Sequence, residues 1–158
     1  MDEAAKKTAL RMIPYGLFVM TVKDDKTMTG AAVNWLTQAS FAPPLVVLGA
    51  KADNPSTAMI ESSGLFNINV LETGQVPLAS AFFKHVEPDG NKFGDAEFSL
   101  SPNGLPVLKD ALAWFECQLR ETVKLGDHTI FVGEVVEAGV QHEGEPLTLA
   151  ETGFKYGG

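Results

Sequence analysis

The chain has 158 residues and a mass of 16.9 kDa, which is enough for one domain with a sizeable core. Its net charge of −8, with no cluster of lysines and arginines, excludes duplex nucleic acid as a partner, because an acidic surface repels phosphates. A single cysteine, no apolar run of roughly 18 to 20 residues and no signal-peptide pattern predict a cytoplasmic protein that does not enter a membrane.

The first residues predict a short helix followed by a β-hairpin. Asp2–Met12 carries apolar residues at helical spacing, and Pro14 stops that helix. Gly16–Lys23 is rich in β-formers and ends in the charged turn Asp24–Lys26. A second strand begins near Met28, so the pair forms a hairpin.

The next stretch alternates apolar strands with polar segments. Small residues at Gly30–Ala32 indicate either a bulge or close neighbouring strand, or a flat ligand against the backbone. Asn34–Ser40 is predicted as a polar loop, which either satisfies its own turn or binds the hydrogen-bonding edge of a heterocycle. Leu45–Ala50 is almost wholly apolar and predicts a strand that is buried on both faces.

A strong helix start follows at Asn54–Thr57, with Asn as the N-cap and Pro at the first helical position. The helix is expected to run to about Ser63 and to end at Gly64. Its free amides, two hydroxyls and the nearby Lys51 suit a phosphomonoester. The alternative is a plain N-cap with hydroxyls at the surface.

The middle of the chain predicts one strand, one helix and a long loop. Leu65–Leu71 alternates as a strand does, and Gln75–Phe83 has apolar residues at helical spacing. Lys84–Pro106 is broken by prolines and glycines, which predicts a long loop with a small strand near Phe98.

Two long strands, Ala111–Lys124 and Thr129–Val140, predict the clearest hairpin of the chain. The alternation of the first strand predicts Cys117 as a buried small hydrophobe and not as a nucleophile. Pro146–Ala150 is a candidate last strand. Six or more strands with short helices and no βαβ alternation predict one domain over 1–158, a mainly β antiparallel barrel with peripheral helices.

Common catalytic and nucleotide-binding motifs are absent from the sequence. It has no P-loop, GxGxxG, GxSxG or CxxC pattern. The three histidines, His85, His128 and His142, lack the spacing of metal ligands, so no metal site is predicted.

Several short segments, weak singly but specific in their order and spacing, carry a family resemblance. They are Pro14–Leu17, Val33–Gln38, Ser40–Leu45, Gly64–Leu71, Leu78–Ala79 with Phe82, Gly126–Thr129 and Val132–Val135. Together they resemble the flavin reductase-like family, whose fold is an antiparallel FMN-binding split barrel. The match extends over nearly the whole chain.

The resemblance implies FMN as the cofactor, with FAD possible, NAD(P)H as co-substrate, and a homodimer. The implied activity is that of an NAD(P)H:flavin oxidoreductase, which transfers hydride from the nicotinamide to flavin N5. NADH and NADPH fit the sequence equally well. Two alternatives stay open: a flavoredoxin-type FMN electron carrier serving a redox partner protein, and an FMN-binding module whose redox role is incidental.

The resemblance also implies roles for individual residues. It implies that the flavin ring or ribityl chain is contacted by Asn34, Trp35, Leu36, Thr37 and Ser40. It implies that the phosphate is bound by Lys51, Asn54, Ser56 and Thr57. Phe82 and Lys84 would border the ring, across a dimer interface if two copies pair. His128 matches a histidine near the approach of the nicotinamide, although a turn residue that caps the hairpin is the alternative.

Overall fold

A computed structural model describes residues 1–158. The ten strands are β1 (Phe18–Lys23), β2 (Met28–Val33), β3 (Trp35–Ser40), β4 (Leu45–Lys51), β5 (Leu65–Val70), β6 (Lys92–Phe93), β7 (Ala96–Leu100), β8 (Pro106–Leu108), β9 (Ala113–Val123) and β10 (His128–Val140). The four helices are α1 (Glu3–Arg11), α2 (Pro55–Ser63), α3 (Val76–Ser80) and α4 (Leu149–Thr152).

Seven strands form one sheet in the order β2-β1-β5-β9-β10-β4-β3, and each neighbouring pair is antiparallel. The two edge strands, β2 and β3, are consecutive in the chain and are separated only by Asn34. The two edges of the sheet therefore meet at this residue, although no ladder joins them. The prediction of a mainly β, antiparallel fold without βαβ units is confirmed.

Strand β1 is covered on both faces, which places it at the centre of the fold. Met20 and Val22 belong to one apolar cluster, together with residues of β4, β5 and α2. Leu17 and Val19 belong to a second cluster with α3 and the three-stranded sheet β6-β7-β8. Alternate side chains of a strand point to opposite faces, so one strand can serve two cores.

Helix α2 follows the sequence prediction at both ends. The Asn54 side chain accepts a hydrogen bond from the backbone N–H of Ser56, and Pro55 takes the first helical position. Gly64 ends the helix with φ of 71°, in the left-handed region that favours glycine.

The small strand predicted near Phe98 is confirmed as β7, but the prediction of a loop over the rest of Lys84–Pro106 is incomplete, because this segment also contains β6 and leads into β8. These strands are too short for a readable period, but they bury Phe93 and Phe98 in the second cluster. Strands β6–β8 with their connecting residues form a small lobe, which polar contacts attach to the main sheet. Thr21 donates a 2.5 Å hydrogen bond to the carbonyl of Pro106 in this lobe.

Further contacts hold this lobe from the neighbouring strands. Asn69 receives a 2.8 Å hydrogen bond from the N–H of Leu108. The fully buried carboxylate of Glu116 accepts hydrogen bonds from Ser101 and Asn103. Tertiary contacts thus order a segment that its own sequence leaves irregular.

Two other elements differ from expectation. The helix predicted over Gln75–Phe83 is shorter, since α3 covers only Val76–Ser80. The last strand predicted over Pro146–Ala150 forms only isolated bridges, and Thr148 then caps α4. No helix is both long enough and apolar enough to span a membrane.

The burial of Cys117 predicts its chemical behaviour. Burial, followed by the charge of Glu116, raises the pKa of this thiol to about 12. Because the thiolate is the reactive form, we expect no reaction with an aromatic disulfide reagent at pH 8 in the folded protein, and full reaction in denaturant. Rapid labelling of the folded protein would contradict this arrangement.

Candidate functional site

A cavity of about 540 Å³ lies where β1, β2 and β4 approach the start of α2. Small residues of β2 and β4 form part of its wall, and the aromatic rings of Phe82 and Phe83 form another part. Its lining residues are Leu17, Met20, Ala31, Ala32, Val33, Asn34, Gly49, Ala50, Lys51, Asn54, Ser56, Thr57, Phe82, Phe83, His128, Leu149, Phe154, Lys155 and Tyr156.

Seven of the residues predicted to form the site line this one cavity, although they are spread along most of the chain. They are Asn34, Lys51, Asn54, Ser56, Thr57, Phe82 and His128. Sheet pairing explains part of this convergence, since His128 lies directly opposite Lys51 in the ladder of β10 and β4.

The segment Asn34–Ser40 was predicted as a loop, and this prediction is wrong, since Trp35–Ser40 is strand β3. It pairs only with β4, so its polar side chains are those of an exposed sheet edge. Trp35 lies over Gly49 beside the cavity, where a Cβ at Gly49 would come within 3.3 Å of the indole.

The other predicted residues lie elsewhere in the chain. Leu36 and Thr37 line a second, mostly apolar cavity of about 390 Å³. Ser40 and Lys84 lie outside both cavities. The flavin contacts assigned to these four residues stay predictions, as do those assigned to the residues that line the first cavity.

The small residues of β2 lie against two different features of the structure. A Cβ at Gly30 would come within 2.8 Å of the Phe82 ring, so this glycine makes room for a side chain and not for a ligand. Ala31 and Ala32, by contrast, line the cavity.

Two buried donors at this site have no hydrogen-bond partner, namely Asn34 Nδ2 and Trp35 Nε1. Asn34 is only 7% exposed and lines the cavity. A buried polar group without a partner loses its hydration without compensation, which makes such groups uncommon in folded proteins.

The hydroxyls at the start of α2 are engaged within their own loop. Ser56 Oγ donates to Asn54 Oδ1 at 2.8 Å, and Thr57 Oγ1 donates to the carbonyl of Lys51 at 2.8 Å. The Lys51 ammonium is more available, because its side chain is 60% exposed and its contact with Asp53 is 3.5 Å long. Lys51 therefore supplies the mobile positive charge at this end of the cavity.

His128 is held on three sides. Its Nδ1 lies 2.8 Å from Asp127 Oδ1, and its Nε2 lies 2.8 Å from the hydroxyl of Tyr156. The ring centroid of Trp35 is 4.4 Å from that of His128. The hydrogen bond with His128, followed by the charge of that ring, holds the pKa of the Asp127 carboxyl below its ordinary value.

The sequence and the fold of this chain are similar to those of known proteins. A family model described as the flavin reductase like domain matches residues 10–158. The chain belongs to the flavin reductase-like family. A flavin reductase from Pseudomonas putida is 34% identical over 149 residues, which cover 94% of this chain and 86% of that protein.

Two further family relationships bear on the site. The NADH:FAD oxidoreductase of Streptomyces globisporus, solved in complex with NAD and FAD fragments, superposes with a TM-score of 0.78 at 29% identity, over 89% of this chain and 83% of that chain. A high molecular weight rubredoxin from Moorella thermoacetica is 34% identical over 145 residues, or 90% of this chain, which spans 63% of that protein.

Sequence reasoning missed several lining residues of this flavin reductase-like chain. Phe83 and the three consecutive residues Phe154–Tyr156 line the cavity, and Tyr156 lies against Trp35 and His128. The only signal for the latter was a pair of aromatic residues in a glycine-rich terminal segment. Such a segment has no periodicity, so only the folded chain shows where it lies.

The unpartnered amide of Asn34 predicts an unusual effect on stability. Asn34→Ala removes a buried donor that makes no hydrogen bond, so we expect the free energy of unfolding of the ligand-free protein to fall by less than about 1 kcal/mol. The matched control is Asn69→Ala, since Asn69 donates to Val19 and accepts from Leu108. That change should cost roughly 2 to 4 kcal/mol in denaturant titration. Equal losses would contradict a ligand-directed role for Asn34.

Proposed function

We propose that this chain binds FMN in the 540 Å³ cavity and acts there as an NAD(P)H:flavin oxidoreductase. The observation that carries the proposal is the cavity itself, which brings together seven residues predicted to form the site in a flavin reductase-like chain. The small side chains of Ala31 and Ala32 leave room for a flat ring system.

The ends of the cavity differ in the chemistry that they offer. Lys51 ends β4 and Asn54 caps α2, and the positive end of the α2 dipole beside them favours a phosphate. This local charge is needed because the chain as a whole carries −8. We assign this end to the phosphate of FMN, and FAD remains the alternative cofactor.

In this proposal the side chains of the site orient the flavin and the nicotinamide and polarise the flavin ring. Hydride transfer does not require them to move a proton. A bound flavin supplies the hydride acceptor at N5. Donors such as Asn34 would stabilise negative charge that develops on the ring, and they are already in place before the reaction. Phe82 and Phe83 form an apolar part of the cavity wall, and His128 lines the cavity as the candidate group that positions the nicotinamide.

A flavoredoxin-type electron carrier with a redox partner protein is the second candidate. It is favoured by the similarity to a rubredoxin-named protein that is longer than this chain. We also propose a homodimer, in which Leu36, Thr37, Ser40 and Lys84 would have the chance to reach a flavin of the other copy. A cytoplasmic location stays a prediction of the sequence.

The visible spectrum tests the central proposal. Protein incubated with FMN and freed of excess flavin should be yellow, and anaerobic NADH or NADPH should bleach it within the time of a stopped-flow or manual mixing experiment. Bleaching by dithionite but by neither nucleotide would favour the electron carrier. A protein that retains no FMN and reduces none in solution would contradict both functions.

The phosphate assignment predicts a difference between two flavins. Lys51→Met should weaken FMN binding by about 10-fold or more, because a charge-assisted hydrogen bond to the phosphate is lost. The affinity for riboflavin, which has no phosphate, should stay within about 2-fold of that of the unchanged protein. Lys26→Met is the matched control, since Lys26 is exposed at the hairpin turn and does not line the cavity. Equal losses for FMN and riboflavin in flavin fluorescence titrations would remove Lys51 from the phosphate site.

A further inference from the structure

The segment 153–157, here called the aromatic strap, crosses one side of the cavity. At one end the Phe154 ring packs edge-on against Phe83, with 5.2 Å between centroids. At the other end the Tyr156 ring lies 5.3 Å from Trp35. The strap therefore bridges the residues after α3 and the sheet edge at β3.

The strap takes up the bonding capacity of His128. Tyr156 bonds to Nε2 and Asp127 bonds to Nδ1, so neither ring nitrogen is left for another molecule. Trp35 and Tyr156 both pack against the imidazole, at centroid distances of 4.4 and 5.8 Å. An aromatic group of this chain thus occupies the position beside His128.

The closed strap also leaves Trp35 Nε1 without an acceptor. This donor is buried, and a Cβ at Gly157 of the strap would lie 3.9 Å from it. A desolvated donor without a partner opposes the state that buries it. Opening of the strap would return the indole N–H to water or to an acceptor of a ligand.

Few contacts oppose such opening. Phe154 and Tyr156 remain 46% and 44% exposed, and the strap belongs to no helix or strand. The carbonyl of Gly157 accepts a 2.9 Å hydrogen bond from Arg11 Nε, but Arg11 is part of α1, which buries no residue. Segments with so little burial open at a small fraction of the global free energy.

We propose that the aromatic strap is a displaceable placeholder: Tyr156 holds His128 until a nicotinamide nucleotide takes its position, so strap opening is part of dinucleotide binding. This inference rests on the proposed function. The strap and the nucleotide compete for one face of His128 and Trp35, so the apparent affinity for the nucleotide scales with the fraction of open strap. Tyr156 acts through His128 and is a positioning residue.

Backbone hydrogen exchange measures the strap directly, without turnover. Peptides that cover residues 153–158 should take up deuterium at least 2-fold faster in FMN-treated protein when saturating NAD+ is added. Slower uptake would overturn the inference, because the strap would then be an ordered part of the nucleotide site. Unchanged uptake would overturn it as well.

A single hydroxyl deletion tests what holds the strap. Tyr156→Phe keeps the ring but removes the bond to His128, so we expect faster uptake at 153–158 in the ligand-free protein. The KM for NADH should fall by about 3- to 10-fold, which is typical for the loss of one competing hydrogen bond, with a smaller change in kcat. Lys155→Met, on the same strap, should leave the ligand-free uptake unchanged. A higher KM in Tyr156→Phe would overturn the inference.

The two proposals fail differently. Protein that neither retains nor reduces flavin contradicts the proposed function, whereas the effect of Tyr156→Phe on ligand-free exchange is still measured. Protein that is bleached by NADH, but in which NAD+ does not accelerate exchange at 153–158, keeps the proposed function and loses the strap.

Discussion

The meeting of two sheet edges at Asn34 is the constraint on which the site depends. Because β2 and β3 are the outermost strands of one sheet and adjoin in the chain, the polypeptide must pass from one edge to the other within one residue. The two edges do not pair, so the sheet stays open at this corner. The side-chain nitrogen Nδ2 of Asn34 is buried there without a hydrogen-bond partner.

Neighbouring elements extend this corner into a site with distinct ends. The ladder of β4 and β10 sets Lys51 opposite His128, and the N-cap at Asn54 starts α2 beside them. Strand register thus places Lys51 beside His128, and the local N-cap signal at Asn54 places the start of α2 next to both. In an acidic protein this placement of charge matters more than the number of charges.

The second core has a supporting role. Phe82 reaches the cavity because it is packed against Phe93 and over Gly30, and the lobe that carries Phe93 is itself fastened to the main sheet by Thr21 and Asn69. The position of the cavity wall therefore depends on polar contacts of a segment that does not touch the cavity. The aromatic strap, by contrast, has few such supports, which is consistent with a part that moves.

The sequence by itself determined the antiparallel hairpins, the cap and end of α2, the burial of Cys117 and, through its resemblance, the family. These features depend on side-chain alternation, on capping residues and on glycine at a left-handed position, all of which act over a few neighbouring residues. Only the tertiary structure decided that Asn34–Ser40 contains an edge strand, that Lys84–Pro106 is ordered, and that Tyr156 reaches His128. The physical reason is that these outcomes depend on pairing partners and contacts distant in the chain, about which local periodicity carries no information.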